Sequence, residues 1–312
     1  MKCYLCGKQQ LNVIRYRVRH DISRKVIECQ NCGLNYLFPK KENLKEFYRK
    51  NYREKYTPKI NGIVDCRTMF NIYLPFQQYR LNELKDILNS DMKILDVGCS
   101  TGHLLYTLKD YVQECVGIEY NIQDAAFTEK ELGFKTYTTS IKETDLPLEY
   151  FDLITICQVL EHLQDPIEFV KIYRDYLKDD GYIFVEVPNV RDILLSGYNV
   201  QSYHDFWYRE PHLFNFSPKT LKICLEKAGF KGEIKGAQRY NFLNHLNWIF
   251  LKKPQKNAEI GMSKPVLITN SSINENIKKE INDWFVKVDE DYKNLLVKLK
   301  LSDSIIFIGK KS

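Results

Sequence analysis

The segment Asp96-Val97-Gly98-Cys99-Ser100-Thr101-Gly102 constrains this chain more than any other feature. It follows the apolar run Lys93–Val97, which reads as a buried strand, and precedes His103–Tyr111, which reads as a helix. Glycines bracketing a strand-to-helix turn accept positive φ and let the backbone approach a ligand closely. The pattern then repeats. Val112–Glu119, Phe134–Thr138, Phe151–Cys157 and Tyr182–Val187 are strand-like, and Asn121–Leu132 and Pro166–Leu177 are helical. Strands alternating with helices build parallel βαβ units, so the predicted fold class is α/β with a doubly wound, Rossmann-like sheet. Ligands of such sheets lie at the carboxyl ends of the strands, near the reversal of strand order.

A dinucleotide fingerprint would read G-x-G-x-x-G, whereas the spacing here is G-x-x-x-G with Ser100 between. Glu119 ends the second strand 21 residues after Gly98, where a carboxylate can accept both hydroxyls of a ribose. With these features in place, "ILDVGCSTGHLL", "VGIEY", "FDLITICQVLEHLQDP" and "LKDDGYIFVEVPN" resemble the class I S-adenosylmethionine-dependent methyltransferases over roughly residues 92–235. The family pattern is D-x-G-x-G-x-G, and this chain carries Ser100 at the middle glycine. The resemblance implies S-adenosylmethionine as cofactor, with Asp96, Gly98 and Gly102 shaping its methionine side and Glu119 on its ribose. It also implies that Ser140 and Ile141 flank the adenine, and counts Tyr120 and Gln158 among the cofactor-binding residues. The expected methyltransferase domain is 91–312. It includes an aromatic lid over 191–216 and a helical insertion over 241–302 between two last strands, Glu233–Tyr240 and Ser304–Ile308.

The head carries a second constraint. Cys3-x-x-Cys6-Gly7 and Cys29-x-x-Cys32-Gly33 are two copies of C-x-x-C-G. Two residues between thiolates let both sulfurs face one ion, and four thiolates satisfy tetrahedral zinc with no open position. The expectation is a structural zinc ribbon over residues 1–40, with Val13–Val18 and Lys25–Glu28 as strands around a turn near His20. Cys66, Cys99, Cys115, Cys157 and Cys224 are expected as ordinary thiols outside the metal site. Residues 41–90 read as a helical linker, Glu42–Tyr52 followed by Thr68–Leu88 with a break at Pro75. Ribbon and body together resemble a bacterial branch associated with nucleotide-sugar and surface-glycan biosynthesis, which includes sugar C-methyltransferases with a four-cysteine zinc domain. That resemblance implies a nucleotide-linked sugar or related carbohydrate as the small-molecule substrate.

No apolar run approaches the roughly 18 residues of a membrane span, and Met1-Lys2-Cys3 opens no signal-peptide core, so the expected location is the cytoplasm. Residues 1–60 hold 15 Lys/Arg and 5 Asp/Glu, the remainder 31 and 35. A basic head of this kind suits an anionic ligand or RNA, so an RNA methyltransferase stands as the alternative function. A non-catalytic scaffold is the third class. Aromatics are dense from Tyr198 to Phe216, where rings can stack on sugars or bases, with His204, Arg209 and His212 among them as candidate contacts to phosphate.

Glu161 and His162 follow the fourth strand, Phe151–Cys157, at the end that faces the methyl donor in the resembling family. Three roles stand open. His162 is expected first as a general base, because a histidine titrating near neutral pH suits removal of an acceptor proton. The second role is a metal site. Ubiquinone-pathway O-methyltransferases and small-RNA 2′-O-methyltransferases resemble this stretch with E-x-x-E-H, and in the RNA enzymes a later histidine is matched by His212. Here Gln158 replaces the first acid, which removes one hard ligand. The third is a local structural role at the start of the next helix.

Overall fold

The computed structural model describes residues 1–38, 65–269 and 272–312. The expected helix Glu42–Tyr52 lies outside the described residues. The head forms antiparallel strands β1 (Leu11–Val18), β2 (Ile22–Cys29) and β3 (Asn35–Phe38). Two helices follow, α1 (Cys66–Tyr73) and α2 (Gln78–Leu84), separated by a 3₁₀ turn, Leu74–Gln77, that contains Pro75. Proline has no N–H to donate to a continuing helix, so the break falls where expected.

The body opens with β4 (Lys93–Val97), α3 (His103–Leu108), β5 (Glu114–Ile118), α4 (Ile122–Leu132), β6 (Lys135–Tyr137), β7 (Phe151–Cys157) and α5 (Pro166–Tyr176). It continues with β8 (Leu177–Pro188), α6 (Ile193–Ser196), α7 (Gln201–Trp207), β9 (Phe214–Asn215), α8 (Pro218–Lys227) and β10 (Phe230–Ala237). The helices α9 (Phe242–Leu246), α10 (Ala258–Met262) and α11 (Glu275–Leu299) occupy the expected insertion, and β11 (Ser304–Lys311) closes the chain. The seven-stranded sheet runs β10-β11-β8-β7-β4-β5-β6. The strands from β6 to β8 are parallel, and β11 is antiparallel to both β8 and β10. Buried on both faces, β4 and β7 read as near-continuous apolar runs, which is why the sequence announces them. The chain leaves β4 toward β5 and β6, then returns to β7 on the other side. That reversal opens a crevice at the carboxyl ends of these strands.

The smaller sheet, β1-β2-β3-β9, belongs to both parts of the molecule. Its edge strand β9 comes from the body, with Asn35 opposite Asn215 and Tyr36 opposite Phe214. Leu37 N–H donates to the Leu213 carbonyl at 2.9 Å, and Arg19 N–H to the Tyr208 carbonyl at 2.7 Å. One apolar core runs from Cys29, Cys32 and Leu34 of the head through Phe214 to Leu160, Val185 and Leu225 of the body. A second seam joins Val18, Val26 and Leu37 to Leu195, Trp207 and Trp248. Segment 191–216, expected as a lid, is part interior and part surface: Tyr203, Trp207, Tyr208, Phe214 and Phe216 are buried, while Tyr198 and Phe206 are exposed.

Candidate active site

A cavity of about 780 Å³ opens at the carboxyl ends of the parallel strands. Its inner end is lined by Asp96, Gly98, Ser100, Glu119 and Tyr120. Gly98 takes φ 75° and its N–H donates to the Ile118 carbonyl at 2.7 Å. A Cβ there would stand 2.5 Å from Val159 Cγ2, so only glycine fits the turn. Ser100 also has positive φ, 49°, at a cost that a glycine would avoid. Glu119 accepts from Ser100 N–H at 2.9 Å and Asn121 N–H at 2.7 Å, and Thr128 donates its hydroxyl to the Ser100 carbonyl at 3.1 Å. The carboxylate thus ties the glycine turn to the second strand end. Asp96 accepts from the Thr155 hydroxyl at 2.6 Å, and burial pushes its carboxyl up to about 6.

The outer part of the cavity meets the Glu-His pair. Val159–Leu163 turns through a short 3₁₀ segment, Leu160–His162, that buries Glu161 and His162. The His162 Nδ1–H donates to the Pro211 carbonyl at 3.0 Å, which aims Nε2 at Glu161 Oε1, 3.7 Å away. His212 Nε2 lies 4.0 Å from the same oxygen, and the two imidazoles meet edge to face with centroids 4.8 Å apart. Both histidines line the cavity. Glu161 sits behind them at 1% exposure, and among the described residues neither of its oxygens has a hydrogen-bond donor. Burial raises the Glu161 carboxyl to about 8. Burial, then the Arg209 charge, lowers His162 to about 3. His212 is pushed down by burial and by the charges of Arg209, His162 and Arg19. Arg209 Nε donates to His212 Nε2 at 2.7 Å.

A buried carboxylate without donors costs free energy unless it is protonated or meets a cation. Here it faces two neutral imidazoles, and the three ligand atoms lie within 4.8 Å of one another. Two imidazoles and one carboxylate suit a divalent transition ion better than magnesium, which prefers oxygen ligands. The donor set fits such an ion, provided Arg209 releases His212 Nε2. Gln158 stands apart from this group. Its Nε2 donates to Glu186 Oε1 at 2.9 Å.

A family model described as a methyltransferase domain matches residues 73–233. The chain belongs to that methyltransferase-domain family. A ubiquinone biosynthesis O-methyltransferase of Histophilus somni is 31% identical over 110 residues, 32% of this chain and 46% of that enzyme. A tRNA U34 carboxymethyltransferase of Aeromonas hydrophila is 28% identical over 148 residues, 44% of each chain. The chain therefore spans under half the length of these curated relatives. Among solved structures, a chain from the complex of the Haloferax volcanii Trm112 methyltransferase activator with a methyltransferase is similar in fold. Its TM-score is 0.50 at 8% identity, covering 79% of this chain and 92% of that one.

In this methyltransferase domain the sequence-predicted residues separate into three groups. Asp96, Gly98, Glu119, Tyr120, Gln158, His162 and His212 line one cavity. Gly102, at φ 73°, supports the turn from behind, packed on Thr128. Ser140 and Ile141 are not among the lining residues, and Ile141 is wholly buried in the core. Sequence reasoning missed the clamp on Gln158. Glu186, buried within β8, pairs with Arg80 at 2.7 Å and accepts from the Tyr79 hydroxyl at 2.7 Å. A lone acid inside an apolar strand is a signal for such a partner. Sequence reasoning also missed Arg19 and His20, which reach the cavity from the ribbon.

The four ribbon cysteines converge. Cys3 and Cys32 sulfurs are 3.7 Å apart, and Cys6 and Cys29 sulfurs 3.5 Å. Zinc–sulfur bonds of about 2.3 Å give tetrahedral S···S edges near 3.8 Å, so the set fits zinc. Gly7 and Gly33, at φ 73° and 83°, close the two knuckles by donating to the Cys3 and Cys29 carbonyls. The other five cysteines contribute to no metal-ligating group among the described residues. Nor is any described helix long and apolar enough to cross a membrane.

Proposed function

We propose that this chain transfers a methyl group from S-adenosylmethionine to an oxygen of a small hydroxylated acceptor, beside a divalent ion held by Glu161, His162 and His212. The observation that carries the reading is the buried Glu161 carboxylate, without a hydrogen-bond donor among the described residues, facing two neutral imidazoles on the wall of the cavity that the glycine turn closes. The O-methyltransferase relatives support oxygen as the receiving atom. S-adenosylmethionine supplies the methyl group, and the ion supplies Lewis acidity toward the acceptor hydroxyl.

The residues do the rest. Glu119 holds the turn through Ser100 and Asn121, and offers a carboxylate to the cofactor ribose. Methyl transfer is a displacement at carbon, accelerated chiefly by holding donor and acceptor in line. A hydroxyl acceptor must also lose its proton. An imidazole lowered to about 3 holds a proton poorly at neutral pH, so His162 serves better as a ligand than as a lone base. Its Nδ1–H on the Pro211 carbonyl fixes the tautomer that presents Nε2. Cys3, Cys6, Cys29 and Cys32 would hold a structural zinc, distinct from this ion. A nucleotide-linked sugar belongs to the acceptor class proposed, since it combines hydroxyls with a surface for stacking against the aromatic wall. The RNA alternative rests on the tRNA-modifying relative and the basic head, but Arg15 and Arg17 of that head pair with Asp205 and Asp21.

The test incubates zinc-loaded protein with S-adenosylmethionine and nucleotide-linked sugars, phenols or tRNA, and reads a methyl-sized mass gain. In parallel, Mn²⁺ is titrated calorimetrically into wild type and Glu161→Gln. The expected result is one ion bound beyond the ribbon zinc, lost in Glu161→Gln, with methylation of a small acceptor. Full turnover in chelator with the ribbon still loaded would end the metal reading and return His162 to the role of base. Mass gain on tRNA alone would favour the RNA reading.

A further inference from the structure

The helical insertion begins with a cation on the cavity wall, Arg239. We infer that Arg239 binds an oxyanion of the acceptor, a carboxylate or a phosphate, through its two terminal nitrogens. This deepens the function proposed above and rests on the cavity being the acceptor site. Three observations carry it.

First, the sheet register anchors Arg239. It stands two residues beyond β10, whose last pair with β11 is Ala237 opposite Ser304. Asp303, the residue before β11, therefore meets the first residues of the insertion at its base. Asp303 is 4% exposed and accepts from Arg239 Nε at 3.0 Å, Arg239 N–H at 2.8 Å, Tyr240 N–H at 2.9 Å and Gln238 Nε2 at 3.0 Å. Its charge is thus shared among four donors, and it holds the guanidinium only by Nε. The Tyr240 ring flanks the same group, with its centroid 5.9 Å from the guanidinium carbon.

Second, the terminal nitrogens of Arg239 are uncommitted. Among the described residues Asp303 is the only carboxylate within ion-pair distance of Arg239, and neither terminal nitrogen has a hydrogen-bond partner. Nor are they sealed in the interior, because the side chain is 23% exposed and lines the cavity. Two coplanar nitrogens bearing N–H groups match two oxygens of a carboxylate or a phosphate. Arg80, which also lines the cavity, is by contrast 6% exposed and gives Nε to Glu186 and Nη1 to Gln77, both at 2.7 Å.

Third, Arg239 shares its cavity with the Glu-His-His group, since His162 and His212 line it too. Burial raises the Glu161 carboxyl and the Arg239 charge opposes that rise, so Arg239 stands within electrostatic reach of the group. Phe76, Trp248 and Met262 line the same cavity and offer apolar contact to the body of an acceptor. An acceptor that carries both an oxyanion and a hydroxyl is then held at two points. Two points fix the direction of the hydroxyl, which is what in-line transfer requires.

The acceptor being unidentified, the probes are two matched pairs, phenol with 4-hydroxybenzoate and glucose with glucose 1-phosphate. Each is titrated calorimetrically into the zinc-loaded full chain without added divalent ion, with S-adenosylhomocysteine present. The variants are Arg239→Gln, Arg239→Lys and, as a control for net charge, Arg17→Gln on the exposed face of the ribbon. Zinc content and S-adenosylhomocysteine affinity establish that each variant is folded. Wild type should prefer the anionic member of one pair by about tenfold or more. Preference for 4-hydroxybenzoate marks a carboxylate acceptor, and preference for glucose 1-phosphate marks a phosphate. Arg239→Gln should erase the preference and leave the affinity for the neutral probe unchanged. Arg239→Lys, which keeps the charge and loses the fork, should retain part of it, and Arg17→Gln all of it. No preference in wild type, or a preference that survives Arg239→Gln, overturns the inference. Should Arg239→Gln not fold, a preference left whole by Arg239→Lys overturns it. Absence of S-adenosylhomocysteine binding or of methyl transfer sinks the functional reading instead, and the two failures are told apart because the anion titration reads no turnover.

Discussion

Phe214→Ala tests whether the ribbon and the methyltransferase body are one cooperative structure. Phe214 is 0% exposed and sits in β9, the strand that the body lends to the ribbon sheet. Its ring packs on Tyr4 at 4.9 Å and on Tyr36 at 6.3 Å from the head, and on Phe216 at 6.1 Å from the body. Truncating a buried phenylalanine costs about 3–5 kcal/mol through lost burial and the cavity left behind. At about 1.4 kcal/mol per decade that is a shift of roughly two to three and a half decades in the unfolding equilibrium, a large fraction of a typical stability of about 5–15 kcal/mol. A contact between two independently folded units, by contrast, would cost within about 0.5 kcal/mol. The assay is urea unfolding followed by tryptophan fluorescence, which reports the seam through Trp207 and Trp248, and by zinc release to a chromogenic chelator. Wild type should lose both signals in one transition, and Phe214→Ala should move both together to lower urea. The reasoning is refuted if zinc leaves in an earlier, separate transition while the fluorescence midpoint stays at the wild-type value, or if the variant costs less than about 1 kcal/mol.

Two further outcomes follow from carboxylates that accept backbone N–H groups. Asp192 caps α6, accepts from the Leu194 N–H at 2.8 Å and the Tyr203 hydroxyl at 2.6 Å, and is raised to about 7 chiefly by burial. Because the folded form binds this proton more tightly than the unfolded form does, the contribution is complete below about pH 4 and is lost as pH rises through about 7. Wild type should therefore lose roughly 2–3 kcal/mol between pH 5 and 8 that Asp192→Asn does not lose; equal slopes in denaturant unfolding at the two pH values would count against it. Glu119→Ala should weaken S-adenosylhomocysteine binding about tenfold or more, through lost charge-assisted bonds and a loosened Ser100 turn, and an unchanged calorimetric affinity would remove Glu119 from the cofactor site.

The sheet was legible because its strands obey a rule that survives without homologues. A strand covered on both faces is apolar along its length, as β4 and β7 are, and a glycine turn marks where it meets a helix. The long insertion helix was legible for the same kind of reason: Asn274 caps α11 and Lys300 ends it in a left-handed conformation, so periodicity and caps agree. β9 was not legible. Two residues, Phe214 and Asn215, carry no period, and their partner β3 lies about 180 positions earlier in the chain. The aromatic stretch around them reads equally as core or as cavity lining from composition alone, and the structure uses it for both. Arg19 left no mark in the sequence, because a charged residue in a ribbon turn is ordinary until the docking of that turn is known. Glu186 did leave one, an acid inside an apolar strand, but its partner Arg80 lies in the segment read only as a linker.

Segment 206–214 ties these features into one argument about why the body carries a ribbon at all. The carbonyls of Phe206 and Tyr208 take Arg19, and the carbonyl of Leu213 takes Leu37. Between them, the carbonyl of Pro211 orients His162, and His212 faces Glu161. The residues that set the geometry of the Glu-His-His group are therefore pinned on both sides by the ribbon, whose four convergent cysteines would close around a zinc ion. A ligand constellation must be held to within about half an ångström to function, and short loops do not achieve that unaided. The head thus braces a two-residue strand and a proline turn from both sides, through the backbone hydrogen bonds of Arg19 to Tyr208 and of Leu37 to Leu213.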